Sequence, residues 1–265
     1  MTAAAQQTSL ADRSPCVKVS FSLIGKQLPA DHGYLVYSAI SRSAPSLHGV
    51  DWLAIELISG FPSGRGLIAI PERGATLDLR VPADHYRDLL PLAGKRLDLG
   101  GHDIRLGLPV ARPLEPASSL YARVVTIKKF TEAEPFLEAV TRKLDQFGIK
   151  ARMELPRDVT QIVRLRPDVE SNVGIGDSKL ETQNSKLNAV PRYRRRIVTI
   201  HGKSVVGFSV AVHDLSDKDS LLLQAGAVKI NSDDGSVKWQ SIFSRRAMGC
   251  GIFNPIIRNT PTDEE

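Results

Sequence analysis

Six histidines, His32, His48, His85, His102, His201 and His213, are the side chains best able to give or take a proton near neutrality. Cysteine offers less, because Cys16 and Cys250 stand alone. Two thiols are too few for a disulfide framework, and no CxxC pair exists to hold structural zinc, so the expected chemistry uses neither metal nor other cofactor. Cys250, between two glycines, reads as packed rather than reactive. A second set of residues could grip charge rather than move protons. Arg245 and Arg246 precede Gly249 and Gly251, which sets two guanidinium groups beside a backbone that phosphate oxygens could approach without Cβ obstruction. On spacing alone, the same string also fits a strand with a bulge at Gly249.

Charge points the same way. Lys and Arg number 35 against 29 Asp and Glu, a net +6. Residues 1–119 hold 12 basic and 11 acidic side chains, whereas residues 120–265 hold 23 and 18. Within the second half, KLNAVPRYRRRIVTIHGK from Lys186 to Lys203 carries six basic residues, Arg194, Arg195 and Arg196 among them, and no acid. Such a density suits phosphates, although a solvated face would look the same. Aromatics are only 6%. A basic chain with few rings is better suited to a duplex backbone, such as a hairpin stem, than to stacking on unpaired bases.

The elements that must position these groups follow from periodicity. VKVSFSLI alternates as a half-buried strand, and a helix runs from Gly33 to Arg42, with Pro45 ending it. WLAIELI, TLDLRV and DIRLGLPV read as strands, with a short helix at ADHYRDLLPLAG, giving β-α-β-β-α-β. ARPLEPASS, residues 111–119, is the linker candidate, with the joint itself at 113–119. A second pass then begins: a strand at LYARVVTIKKF and a helix at TEAEPFLEAVTRKLDQFG, with Thr131 as N-cap and Phe136, Val140, Leu144 and Phe147 as its core face. A hairpin around Gly202, a helix at SDKDSLLLQAGA and a closing strand at RRAMGCGIF follow. The expected fold class is therefore α+β, two tandem ferredoxin-like (RRM-like) βαββαβ domains at 15–112 and 120–258. Residues 157–190 form a polar insertion without a clear period, expected as a long loop. With 265 residues, 42% hydrophobic and no long apolar run, the chain fits two compact domains and excludes a membrane span or a fibre. Residues 1–14 lack a secretory pattern and are expected as a disordered tail, with the cytoplasm as the expected location.

Three separated segments, YLVYSAISRSAPSLHG, LYARVVTIKKFTEAEPFLEAV and RRAMGCGIFNP, occur in the order found in CRISPR-associated endoribonucleases that cut precursor CRISPR RNA within its repeats. The chain resembles that family over about residues 15–256, within the superfamily of repeat-associated tandem ferredoxin-like proteins. Three departures are visible, the first being that residues 227–241 (VKINSDDGSVKWQSI) separate the second helix of the second pass from the closing glycine-rich loop. The family carries more glycine before the arginines than SIFS offers, and some members place a lysine shortly after the histidine, where this chain has Gly49, Val50, Asp51 and Trp52.

The resemblance implies metal-independent cleavage, in which a 2′-hydroxyl attacks the adjacent phosphate, leaving a 2′,3′-cyclic phosphate. It places the catalytic histidine at His48 and the active-site tyrosine at Tyr37, with Tyr34 as the fallback. Arg42 or Lys128 would supply the missing positive charge. Arg194, Arg195, Arg196, Lys128, Arg245, Arg246, Gly249 and Gly251 would hold RNA. The implied partners are a repeat hairpin, the mature guide RNA retained as product, and other subunits of a CRISPR interference complex in antiviral defence. Two rivals are a non-catalytic RNA-binding subunit and an unrelated ferredoxin-like pair that binds a protein or small anion.

Overall fold

The computed structural model describes residues 15–156, 195–231 and 237–256. The expected tail at 1–14, the insertion at 157–190 and Arg194 lie outside them. Among the described residues, fifteen strands and three α-helices occur in this order: β1 Cys16–Ile24, β2 Gln27–Pro29, α1 Gly33–Ser43, β3 Ala54–Ile55, β4 Phe61–Gly64, β5 Leu67–Ala69, β6 Thr76–Pro82, β7 Arg96–Asp98, β8 Asp103–Pro113, β9 Leu120–Val125, α2 Ala133–Gln146, β10 Arg152–Glu154, β11 Arg195–Ile200, β12 Lys203–His213, α3 Asp217–Ala225, β13 Ala227–Asn231, β14 Val237–Ser241 and β15 Phe253–Pro255.

Alternation builds the first sheet. Val19, Phe21 and Leu23 of β1 and Leu77, Leu79 and Val81 of β6 are buried because successive strand side chains point to opposite faces. The strands order as β3-β6-β1-β8-β7, with every pairing antiparallel. Helix α1 covers this sheet with Val36, Ala39 and Ile40, and Tyr37 sits at the stripe's edge. The second sheet orders as β10-β12-β9-β15, again antiparallel, with β11 added to β12. Phe136, Val140 and Leu144 of α2 form its cover. Leaving out the added strands β7 and β11, both sheets set their four principal strands in the same spatial order, second-third-first-fourth.

Several expectations need correction. WLAIELI forms only the two-residue β3, since pairing with β6 stops at Ile55. ADHYRDLLPLAG is a 3-10 stretch, Ala83–Leu92, with Pro91 inside it; the ring removes an N–H donor and clashes with an α-helical turn. Strand β8 continues to Pro113, so the joint begins one residue later than the composition suggests. Glu132, not Thr131, stands at the N-cap of α2. At the two ends of residues 227–241, β13 and β14 pair antiparallel. RRAMGCGIF is mostly a loop around a 3-10 turn at Arg246–Met248, and the closing strand is only Phe253–Pro255.

The seam between the two halves rests on a few close contacts. Arg80 of β6 is 1% exposed. Its guanidinium donates to Glu56 Oε1 at 2.9 Å, and to the Gln224 and Phe253 carbonyls of the second half at 2.8 and 2.6 Å. A Cβ on Gly33 would lie 2.3 Å from the Met248 carbonyl, so the start of α1 abuts the closing loop directly. These contacts fix where α1 faces the second sheet.

Candidate active site

Tyr37 and His48 come together by a local route. Helix α1 ends at Ser43, a 3-10 turn at Pro45–Leu47 reverses the chain, and buried Leu47 anchors that turn in the core. His48 follows, exposed. Its Nδ1 lies 3.2 Å from Tyr37 Oη, and the two rings are stacked with centroids 5.7 Å apart. The Gly49 N–H donates to the same phenol oxygen at 3.2 Å. Tyr37 itself is only 8% exposed, so the hydroxyl is held from two sides while the imidazole edge faces solvent.

Tyr37 of this pair lines a cleft of about 480 Å³ between the halves, whereas His48 stands beside Tyr37 and outside the cleft lining. Tyr37, Gly49 and Asp51 line one wall, and Thr126, Lys128, Lys143, Ser244 and Arg245 line the other. Lys128 is exposed in the turn that follows β9. Arg245 takes a left-handed backbone, φ 64°, and its Nη1 donates to Thr126 Oγ1 at 3.1 Å. The cleft thus sets three cations opposite the Tyr37 phenol, whose hydroxyl contacts His48, an arrangement suited to an anionic group undergoing proton transfer. Of the two cations the resemblance left open, Lys128 reaches the cleft. Arg42 is instead engaged with Ser38 Oγ at 2.8 Å and the Asp98 carbonyl at 3.3 Å.

Other expected site residues are placed differently. Arg246 is 3% exposed; its guanidinium turns inward, donates to the Ala225 carbonyl and packs against Gly226. Burial and the nearby Arg80 lower its pKa to about 10. It is a structural residue rather than a surface grip. Gly249 and Gly251 are buried as well: a Cβ at the first would strike Leu57 at 2.4 Å, and at the second Phe243 at 2.5 Å. Their positive φ, 81° and 64°, also favours glycine. These glycines therefore serve close packing of the closing loop, not approach to phosphate. Cys250 between them is fully buried, and burial pushes its thiol up to about 11. Arg195 and Arg196 lie on β11, the former exposed and the latter half-buried, outside the walls of the cleft.

The remaining histidines separate by surroundings. His32 is 1% exposed; its Nδ1 lies 2.9 Å from the Pro29 carbonyl and its Nε2 accepts the Ile58 N–H at 2.9 Å. Both nitrogens are used, and burial lowers the pKa to about 4. His85 pairs with Asp88 and stacks on Trp52, and His213 is buried against Ser119 Oγ. His201 reaches Tyr34, with Nδ1 3.4 Å from Tyr34 Oη. Sequence reasoning missed Lys143 and the Tyr34–His201 contact. A helical wheel could have found the first, because Lys143 lies one turn beyond Ala139 and both face the cleft.

Comparison with known proteins identifies the family. The family model described as Cas6 Crispr matches residues 17–258. A CRISPR-associated endonuclease Cas6 of Myxococcus xanthus (strain DK1622) is 32% identical over 239 residues, covering 90% of this chain and 81% of its own length. Among solved structures, a CRISPR associated protein Cas6 superposes with TM-score 0.52 at 9% identity, over 91% of this chain and 100% of its own. A Cas6-related protein from Pyrococcus furiosus gives TM-score 0.54 at 10% identity, over 92% and 100%. With a family model spanning nearly the whole chain and a curated relative at that level of identity, the chain belongs to the Cas6 family.

Proposed function

We propose that the protein is an endoribonuclease that cuts precursor CRISPR RNA within its repeats, without metal, by attack of a 2′-hydroxyl on the adjacent phosphate. The observation that carries this reading is the Tyr37–His48 contact, whose Tyr37 lines a cleft that also presents Lys128, Lys143 and Arg245. The relative from Myxococcus xanthus, described as a CRISPR-associated endonuclease, supports it.

The proton inventory fits. Tyr37 Oη already accepts from Gly49. When His48 Nδ1–H also donates to that oxygen, the imidazole keeps a lone pair on Nε2 and the phenol proton is free to point at the cleft. His48 Nε2 then takes the 2′-hydroxyl proton, O2′ bonds to phosphorus, and the bond from phosphorus to the 5′-oxygen breaks. That oxygen leaves as a hydroxyl by taking a proton from solvent water, the proton held by His48 returns to solvent, and the other product ends in a 2′,3′-cyclic phosphate. Tyr37 donates a hydrogen bond to the phosphate, and the three cations offset charge developing on its oxygens.

On this reading the two sheets are tandem ferredoxin-like domains, 15–112 and 120–258, with the cleft at their junction. The basic face of the second domain, including Arg195, holds the repeat hairpin. The cleaved guide RNA stays bound and passes to an interference complex in the cytoplasm. Among the described residues no helix is long and apolar enough to cross a membrane.

The test is cleavage of an RNA carrying the repeat of the host's own array. Wild-type protein should yield a cyclic phosphate and a 5′-hydroxyl, a chelator should leave the rate unchanged, and one 2′-deoxy sugar at the cut nucleotide should abolish cutting. Tight binding with no cleavage would assign the chain to the non-catalytic RNA-binding role instead.

A further inference from the structure

The hairpin β11–β12 carries a histidine where its turn geometry asks for something else. The two-residue turn is His201–Gly202, with φ of 49° and 72°. Both positions are left-handed, the geometry of a type I′ turn, whose first position favours Asn, Asp or Gly because other side chains crowd the backbone there. An imidazole at this point is a local cost that turn formation does not explain.

The ring has a definite place. His201 crosses from the second half to the first turn of α1, where its centroid lies 4.7 Å from that of Tyr34. The backbone holds it there, since the Thr199 N–H donates to Asp31 Oδ2 at 2.6 Å just before α1 begins. Tyr34 in turn lies 6.5 Å, centroid to centroid, from Tyr37. Four rings, His201, Tyr34, Tyr37 and His48, therefore form a continuous row in which one end is the proposed reaction centre. His201 is exposed and Tyr34 is half-buried, so the far end of the row presents aromatic surface to solvent. At the other end of β11, about 20 Å away at the usual rise per strand residue, stands exposed Arg195. One strand thus offers a cation for backbone at one end and a ring for a base at the other.

We propose that His201 and Tyr34 form a stacking platform for an unpaired nucleobase flanking the cut phosphate, and so position the scissile nucleotide against His48. This rests on the ribonuclease reading. Stacking needs a flat face and no particular base, so the platform tolerates any base while requiring that one be present. His201 and Tyr34 act here as positioning residues.

The test pairs a protein change with an RNA change. His201→Asn removes the ring and suits the positive φ of the turn, so the hairpin is kept. Tyr34→Phe keeps the ring and loses only the hydroxyl. Affinity is measured on fluorescein-labelled repeat RNA with a 2′-deoxy sugar at the cut, intact or with a single abasic nucleotide placed in turn at each unpaired position near it. At one position, base removal should weaken wild-type binding about 5- to 100-fold. His201→Asn should weaken binding of intact RNA to a similar extent and then be nearly insensitive to that base. Tyr34→Phe, which keeps the ring, should still lose affinity when that base is removed. If His201→Asn and base removal act independently at every position while wild-type protein binds and cleaves normally, the platform is wrong and the nuclease reading stands. If wild-type protein has no affinity for repeat RNA, both fall.

Discussion

Helix α1 carries a histidine just before its start and another just beyond its end, and the two live in opposite surroundings. His32 is buried, gives one nitrogen to the Pro29 carbonyl and the other to the Ile58 N–H, and is held neutral. His48 is exposed, shares one nitrogen with Tyr37 and keeps an edge toward solvent. The same side chain is a strut in one place and a candidate proton carrier in the other. What separates them is a free lone pair and access to solvent, not residue type.

The sharpest break of that comparison is to remove each ring in turn. His48→Ala should slow single-turnover cleavage of repeat RNA about 10²–10⁴-fold while leaving affinity for the uncleavable RNA nearly unchanged. Equal losses in rate and affinity would make His48 a binding residue. His32→Gln should leave the chemistry intact and act on stability. Because His32 is harder to protonate folded than unfolded, the unfolded chain binds more protons between pH ~6.5 and ~4. Stability therefore falls by up to about 3 kcal/mol as pH drops through that window. Denaturant unfolding at pH 7 and pH 4.5 should show a shallower acid loss in His32→Gln than in wild type, since the amide cannot titrate; an identical loss would mean the ring is protonated in the native fold.

Arg245 and Arg246 extend the contrast to neighbours in the chain. Arg245→Gln should weaken RNA binding about tenfold and reduce the slope of log affinity against log salt by ~0.7 to 0.9, with little change in Tm. Arg246→Met should do the reverse, shifting Tm and leaving the salt slope alone, because its guanidinium never meets solvent. The smallest effect expected is a several-fold loss of cleavage rate in Tyr37→Phe, which keeps the ring in place and removes the hydroxyl alone; a loss as large as that of His48→Ala would make Tyr37 an equal partner in proton transfer.

Much of this was legible in the sequence wherever a simple period controls burial. The alternation of β1, the core stripe of α1 and the hairpin around Gly202 all follow from local pattern. Tyr37 and His48 came from the family resemblance, and their contact is local because eleven residues and one tight turn separate them. The closing loop was misread because the roles of Arg246, Gly249 and Gly251 depend on Ala225, Leu57 and Phe243, two of which are distant in sequence. Glycine beside arginine has one appearance on paper whether the backbone approaches a phosphate or a leucine. His201 stood in the sequence only as one of six histidines, because its place beside Tyr34 depends on packing that brings the β11–β12 turn to α1, whereas Lys143 lay within reach of a helical wheel.

Arg80 has one more consequence. Its guanidinium is locked to Glu56 on its own side and to main-chain carbonyls on the other, and a buried charge released from such partners has no solvent to turn to. The halves therefore behave as a mould rather than a jaw. A guest cannot pry them apart to enter, so any bending needed to lie along the groove must be done by the guest.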